Sequence, residues 1–151
     1  MKDRYRVYIK KDTTRGQPRN PTRAYPGDAG WDLYVSRPAV IPPRSFVDVH
    51  TDIYVAMPEV LWGRITGRSS TLRKRGLLVN EGVIDPGYRG ELFIGVWNLQ
   101  EEPVDLQVGD RIAQLIFHHV VEISWCDVLE GELPHGVRSD RGFGSSVSAG
   151  G

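Results

Sequence analysis

The chain is poor in the residues that staple or anchor small proteins. Its one cysteine, Cys126, excludes an internal disulfide framework and cannot by itself build a thiolate zinc site. The histidines, His50, His118, His119 and His135, lack metal-ligand spacing and read as surface or packing residues. No run approaches the ~20 apolar residues of a membrane span. The opening "MKDRYRVYIKK" carries no apolar leader core, so a soluble, cytoplasmic protein is expected. Net charge is missing too: 19 basic and 19 acidic side chains cancel. That excludes the broad basic surface of a general nucleic-acid binder. Lysine is scarce, 4 against 15 arginines. Arginine forks suit phosphate oxygens, so the skew hints at a phosphate-bearing ligand, although genomic composition produces the same skew.

Helical periodicity is nearly absent. At 151 residues and 40% hydrophobic content the chain suits one domain with a real core, and its apolar residues recur with a period of two. In "FVDVHTDIYVAM" Val47, Val49, Ile53 and Val55 share a face, with Asp48, His50 and Asp52 on the other. "PVDLQV", "RYRVYIK", "ELFIGVWNL" and "RIAQLIFHHVVEI" are further strands. "EISWCDV" reads as another, with Cys126 as a buried, apolar thiol. Turn signals at Pro26-Gly27-Asp28, Pro42-Pro43, Pro86-Gly87 and Gly109-Asp110 separate them. The pattern predicts an all-β sandwich, jelly roll or barrel. Only "SSTLRKRG" reads as a helix, short, capped by Ser69 or Ser70 and stopped by Gly76. Residues 1–133 form the expected β domain. Residues 134–151, rich in Gly and Ser with Phe143 as the one aromatic, form an expected mobile arm that orders on a ligand.

Several positions could carry chemistry. "GRSS" (residues 67–70) joins a strand to a helix start, where free N–H groups, two hydroxyls and Arg68 make either an anion site or a plain capped turn. Asp32, inside the strand "AGWDLYV", is either on the solvent face or paired. Gln114, inside "GDRIAQLIF", is either a core cross-link or a ligand contact. Asp85, in "NEGVIDPGYRGEL", either caps a turn or is held there to act, and Tyr88 could simply pack.

Taken in order, "AGWDLYV", "GRSS", "GVIDPGYRGEL", "GDRIAQLIF" and "RSDRGFGSS" resemble the five motifs of the homotrimeric dUTPases, spanning residues 29–146. The resemblance implies a jelly-roll-like β subunit and hydrolysis of dUTP to dUMP and pyrophosphate by attack of water on the α-phosphorus. It makes Asp85 the general base and Tyr88 the aromatic under the deoxyribose. Arg68, Ser69 and Ser70 become the phosphate turn, Gln114 a phosphate contact, and Asp32 a support behind the site. The segment carrying Asn80, Val83 and Ile84 becomes a hairpin that reads uracil. In the arm, Arg138 is implied to take the γ-phosphate and Phe143 to cover the uracil, beside Gly144 and Ser145. Mg²⁺ is implied as cofactor, held by the triphosphate without direct protein ligands. The implied partners are two further copies of the chain, with no nucleic acid, no membrane and room for a regulatory protein.

The chain departs from the family pattern in places. Ser70 stands where glycine is usual, and Gly67 where proline is common. The Asn80–Asp85 interval is one residue short. Ser139, Arg141 and Val147 replace arm glycines, so Arg141 competes with Arg138 for the γ-phosphate. "GRSSTLRKRGL" and "IDPG" also resemble dCTP deaminase, but Gly95 falls where that family carries its catalytic glutamate. A purely dUTP-binding regulator is the third reading, and the set Asp85, Arg68, Gln114 and Arg138 speaks against it.

Overall fold

The computed structural model describes residues 4–128 together with 131, 133, 134 and 136. The chain divides into two compact units, Met1–Val120 and Val121–Gly151. The first is all-β with one short helix. Its strands are β1 (Tyr8–Lys11), β2 (Gly30–Tyr34), β3 (Ala39–Ile41), β4 (Phe46–Val49), β5 (Ile53–Ala56) and β6 (Leu61–Gly67). After helix α1 (Ser69–Arg75) come β7 (Leu77–Val79), β8 (Gly82–Ile84), β9 (Ile94–Asn98), β10 (Val104–Leu106) and β11 (Arg111–His119). A four-stranded sheet runs β2-β11-β6-β8 and a three-stranded sheet runs β4-β9-β7. The pairs β1-β5 and β10-β3 complete the jelly-roll-like arrangement.

Alternation along the strands sends one face of each sheet inward. Leu33, Ile65, Ala113 and Leu115 come from the four-stranded sheet, and Val49, Ile94, Val96 and Val79 from the other. Ile41, Leu77, Leu106 and Ile112 join them in the core. A fully buried aliphatic side chain contributes ~1.5–3 kcal/mol, so these residues hold the sheets together. None of the described helices is long and apolar enough to cross a membrane.

Four local expectations change. The run "FVDVHTDIYVAM" is two strands, β4 and β5, because Asp52 adopts a left-handed φ of 52° and breaks the ladder. Asp52 is consequently fully buried instead of solvent-facing. Helix α1 starts from Arg68, which makes no side-chain cap; neither Ser69 nor Ser70 fills that role. Its end follows expectation, with Gly76 at φ 61° donating its N–H to the Leu72 carbonyl. Asn80 and Glu81 do not close a two-stranded hairpin, because β7 pairs with β9 and β8 with β6, in different sheets. In the second unit, residues 121–128 form no strand, and Cys126 is exposed, not buried. Its alternating Val121, Ile123 and Trp125 are exposed as well; a strand needs a paired neighbour, and periodicity cannot supply one.

Candidate active site

One cluster forms where β6 runs into α1. Register sets Asp32, Gln114 and Thr66 side by side across β2, β11 and β6. Asp32 is buried, so its charge needs partners. It has two: Arg68 Nε lies 2.7 Å from one carboxylate oxygen and Arg111 Nη1 3.2 Å from the other. Arg68 is further fixed by donating from Nη1 to the Arg111 carbonyl at 3.2 Å. Gln114 is half-buried and donates from Nε2 to the Gly67 carbonyl at 3.0 Å. A Cβ on Gly30 would lie 2.7 Å from Gln114 Cδ, so the missing side chain at position 30 makes room for that amide. Thr71, the buried residue of α1, ties the helix down by donating its hydroxyl to the Ile112 carbonyl at 2.6 Å. Ser69 and Ser70 are left in the first turn, where backbone N–H groups have no intrahelical acceptor. Two fixed donor side chains beside free amides suit an anion.

A second cluster forms at the end of β8. This strand is the edge of its sheet, so its outer backbone groups are free to pair with a planar ligand edge. Val83 points outward, 67% exposed, while Ile84 is buried in the core. Asn80 is exposed and spends its backbone N–H on the Gly95 carbonyl at 2.8 Å. The chain then turns at Asp85-Pro86-Gly87-Tyr88, closed by the Tyr88 N–H donating to the Asp85 carbonyl at 3.0 Å. The Asp85 carboxylate is exposed and accepts no hydrogen bond among the described residues, so it is not a turn cap. Tyr88 donates its hydroxyl to the Glu91 carbonyl at 2.9 Å. Its ring lies over Gly90, where a Cβ would stand 2.5 Å from Tyr88 Cζ. The second glycine of the motif is therefore a seat for the ring.

A single chain does not bring the clusters together. Gly63 pairs with Ile84, which puts Asp85 level with Trp62 on β6. Arg68 is six residues further along, roughly 20 Å at the rise of a strand. Arg138, Phe143, Gly144 and Ser145, with Arg141, lie outside the described residues.

Two participants were not legible in the sequence. Arg111 stands in "GDRIAQLIF", and only the β2–β11 register shows that it faces Asp32. Glu91 sits in the motif of Asp85, and its burial at 9% exposure marks it as a structural carboxylate. With His50 and Asp52 it forms a trio of potential metal ligands. Protein donors already occupy both Asp52 oxygens and Glu91 Oε1, while Glu91 Oε2 meets only His50 Nδ1, at 3.2 Å. Asp52 binds the Arg37 guanidinium and accepts from Ser36 Oγ at 2.6 Å. Glu91 accepts the N–H groups of Thr51 at 3.2 Å and Asp52 at 2.9 Å. The Asp52 carboxyl is held below its ordinary 3.8, first by the Arg37 hydrogen bond and also by Ser36, against the opposing effect of burial.

The dUTPase family model matches residues 18–147. The chain belongs to the dUTPase family. Among curated relatives, the deoxyuridine 5'-triphosphate nucleotidohydrolase of Corynebacterium jeikeium is 44% identical over 133 residues, covering 83% of this chain and 84% of the relative. That of Debaryomyces hansenii is 40% identical over 126 residues, covering 83% and 79%. The Vaccinia virus enzyme is 38% identical over 140 residues, covering 93% and 92%. Among solved structures, the Staphylococcus bacteriophage 80alpha dUTPase with dUPNHPP superposes at a TM-score of 0.86, with 27% identity, over 93% of this chain and 98% of that one. The chain is thus a hydrolase of nucleotide metabolism, on a dUTPase jelly-roll fold.

Proposed function

We propose that this dUTPase hydrolyses dUTP to dUMP and pyrophosphate at sites shared between the subunits of a homotrimer, with Asp85 as the base that activates water. The observation that carries the reading is the pairing of a free, exposed carboxylate at Asp85 with an arginine-rich anion cluster roughly 20 Å away along the same sheet. A heterologous contact closed by threefold symmetry sets the Asp85 end of one subunit against the Arg68 end of the next, and makes three complete sites.

In this arrangement Arg68, the Ser69 and Ser70 amides and hydroxyls, and Gln114 take the phosphates, with Asp32 orienting Arg68 from behind. Tyr88 packs under the sugar and leaves no room for a 2'-hydroxyl. The outer edge of β8, at Val83 and Ile84, meets the uracil edge beside Asn80. The arm, residues 134–151, then closes: Arg138 or Arg141 reaches the γ-phosphate, and Phe143 stacks on the base next to Gly144 and Ser145, adding ~1–3 kcal/mol of affinity. Asp85 polarises a water toward the α-phosphorus and accepts its proton. A carboxylate is repelled by a triphosphate, so the arginines must first neutralise phosphate charge. Mg²⁺ fits this site as a metal held mainly by the triphosphate, whose oxygens are the hard anionic ligands it prefers. When bound, it supplies further neutralisation and Lewis-acid polarisation of the phosphates.

The test is ³¹P NMR of the protein with Mg²⁺ and dUTP and, separately, an assay for ammonia released from dCTP, because deamination leaves the phosphates unchanged. The expected result is dUMP and pyrophosphate from dUTP, with dCTP untouched. Product from dCTP would instead revive the deaminase reading, against which Gly95 stands: the Phe46 ring lies across the space a side chain at 95 would fill, 2.8 Å from a Cβ. Asp85→Asn should retain dUTP binding while turnover falls by at least ~10²-fold, the lower end for a lost general base. Near-normal turnover would remove Asp85 from its role.

A further inference from the structure

The Asp85–Tyr88 turn is exposed, and one buried side chain next to it reaches a different part of the fold. Glu91 forms an isolated bridge with Tyr54 and turns its carboxylate inward, 8% exposed. There Oε1 accepts the N–H groups of Thr51 and Asp52, while His50 Nδ1 stands 3.1 and 3.2 Å from its two oxygens. The receiving loop is held by several bonds of its own. Asp52, in its left-handed conformation, is clamped by Arg37 and Ser36. Thr51 donates its hydroxyl to the Leu92 carbonyl at 2.5 Å, so the residue after Glu91 is tied to the same loop. On the outward side, the Glu91 carbonyl takes the Tyr88 hydroxyl, and the missing side chain at Gly90 leaves room for the phenol end of the ring. The other side-chain bonds of the turn, from Arg89 to the Pro86 and Tyr88 carbonyls, stay inside it. The Tyr88 ring is therefore referenced to the buried core through Glu91.

We infer that Glu91 is a positioning residue that sets sugar discrimination, holding the Tyr88 ring at the height where deoxyribose fits and ribose does not. The inference rests on Tyr88 lying under the sugar as proposed above. Glu91 touches no substrate; it acts through Tyr88 and the turn that carries Asp85.

The test is steady-state kinetics with dUTP and UTP, alongside thermal melts, for wild type, Glu91→Ala, Glu91→Gln, Tyr88→Phe and Tyr88→Ala. Losing a buried, charge-assisted anchor should lower the dUTP/UTP ratio of kcat/KM about tenfold in Glu91→Ala. Glu91→Gln keeps an oxygen for the Asp52 N–H and should stay within about threefold of wild type. Tyr88→Phe, which keeps the ring and cuts its tie to the Glu91 carbonyl, should shift the ratio in the same direction as Glu91→Ala. A folded Glu91→Ala with unchanged ratio, or a Glu91→Gln as poor as Glu91→Ala, would overturn the inference. If Glu91→Ala does not fold, Tyr88→Phe decides, and an unchanged ratio there overturns it. Tyr88→Ala separates the two layers. Lost discrimination in that variant supports the placement of Tyr88 under the sugar, on which the inference depends. Retained discrimination would overturn the placement of Tyr88 and the inference with it.

Discussion

Replacing Asp32 by asparagine probes how the anion cluster is held. The carboxylate, buried in the sheet, meets Arg68 Nε at 2.7 Å and Arg111 Nη1 at 3.2 Å. Asparagine keeps the volume and one acceptor oxygen, but it removes the charge and can turn an N–H toward a guanidinium. A hydrogen bond to a charged group contributes about 1.5–3 kcal/mol. The side chain of Arg111 is 46% exposed against 29% for Arg68, so the Arg111 contact is the more screened and adds little. The loss is therefore placed at the lower end, about 1.5–2 kcal/mol, felt mainly as freedom of Arg68. With 1.4 kcal/mol per decade, that is roughly 10–30-fold in kcat/KM. Because Arg68 is proposed to grip phosphate before and during reaction, the change should sit mostly in KM. The assay is steady-state dUTP hydrolysis over a substrate range, with a thermal melt to confirm folding. A folded Asp32→Asn with wild-type KM would show that Asp32 does not orient Arg68 for substrate, and the account of the phosphate end would fail.

Two further predictions concern neighbouring contacts. Gly30→Ala should push the Gln114 amide from its place over β2, raising KM about three- to tenfold with little change in melting temperature; an unaffected KM would remove Gln114 from phosphate binding. The Asp52 carboxyl has a lower pKa folded than unfolded, so its stabilising contribution is present above the unfolded value near 3.8 and is lost as pH falls through the folded value. Melting temperature of wild type should therefore drop steeply below about pH 4, whereas Asp52→Asn should melt lower at pH 7 and lose less on acidification. Parallel pH profiles would contradict the role given to the Arg37–Asp52 pair.

The local geometry of the candidate site was legible where its residues sit in short motifs whose spacing is fixed by local turns. Asp85 and Tyr88 belong to one turn, and Arg68 to one strand–helix junction, so sequence neighbours are spatial neighbours. Partnership across strands was not legible. Asp32 read equally well as solvated or paired, and only the β2–β11 register, which sets Gln114 opposite it and brings Arg111 within reach, decides the matter. The strand count suffered where a backbone conformation overrode periodicity: Asp52 is left-handed with no glycine to announce it, and it splits one apparent strand into two. Capping failed at Ser69 because Arg68, drawn in an extended conformation toward Asp32, occupies the N-cap itself. The alternation of Val121, Ile123 and Trp125 reads as a strand and forms none in this chain, since pairing depends on a partner that periodicity does not encode.

Subunit complementation tests the central claim most directly. Asp85→Asn and Arg68→Ala chains, each expected to be nearly inactive alone, are mixed, unfolded and refolded together. If each site draws Arg68 from one chain and Asp85 from another, random co-assembly restores wild-type pairs in about a quarter of the sites, and dUTP turnover should return to about that level. If both residues serve one site within one chain, every site carries a defect and mixing restores nothing; that result would contradict the shared-site account.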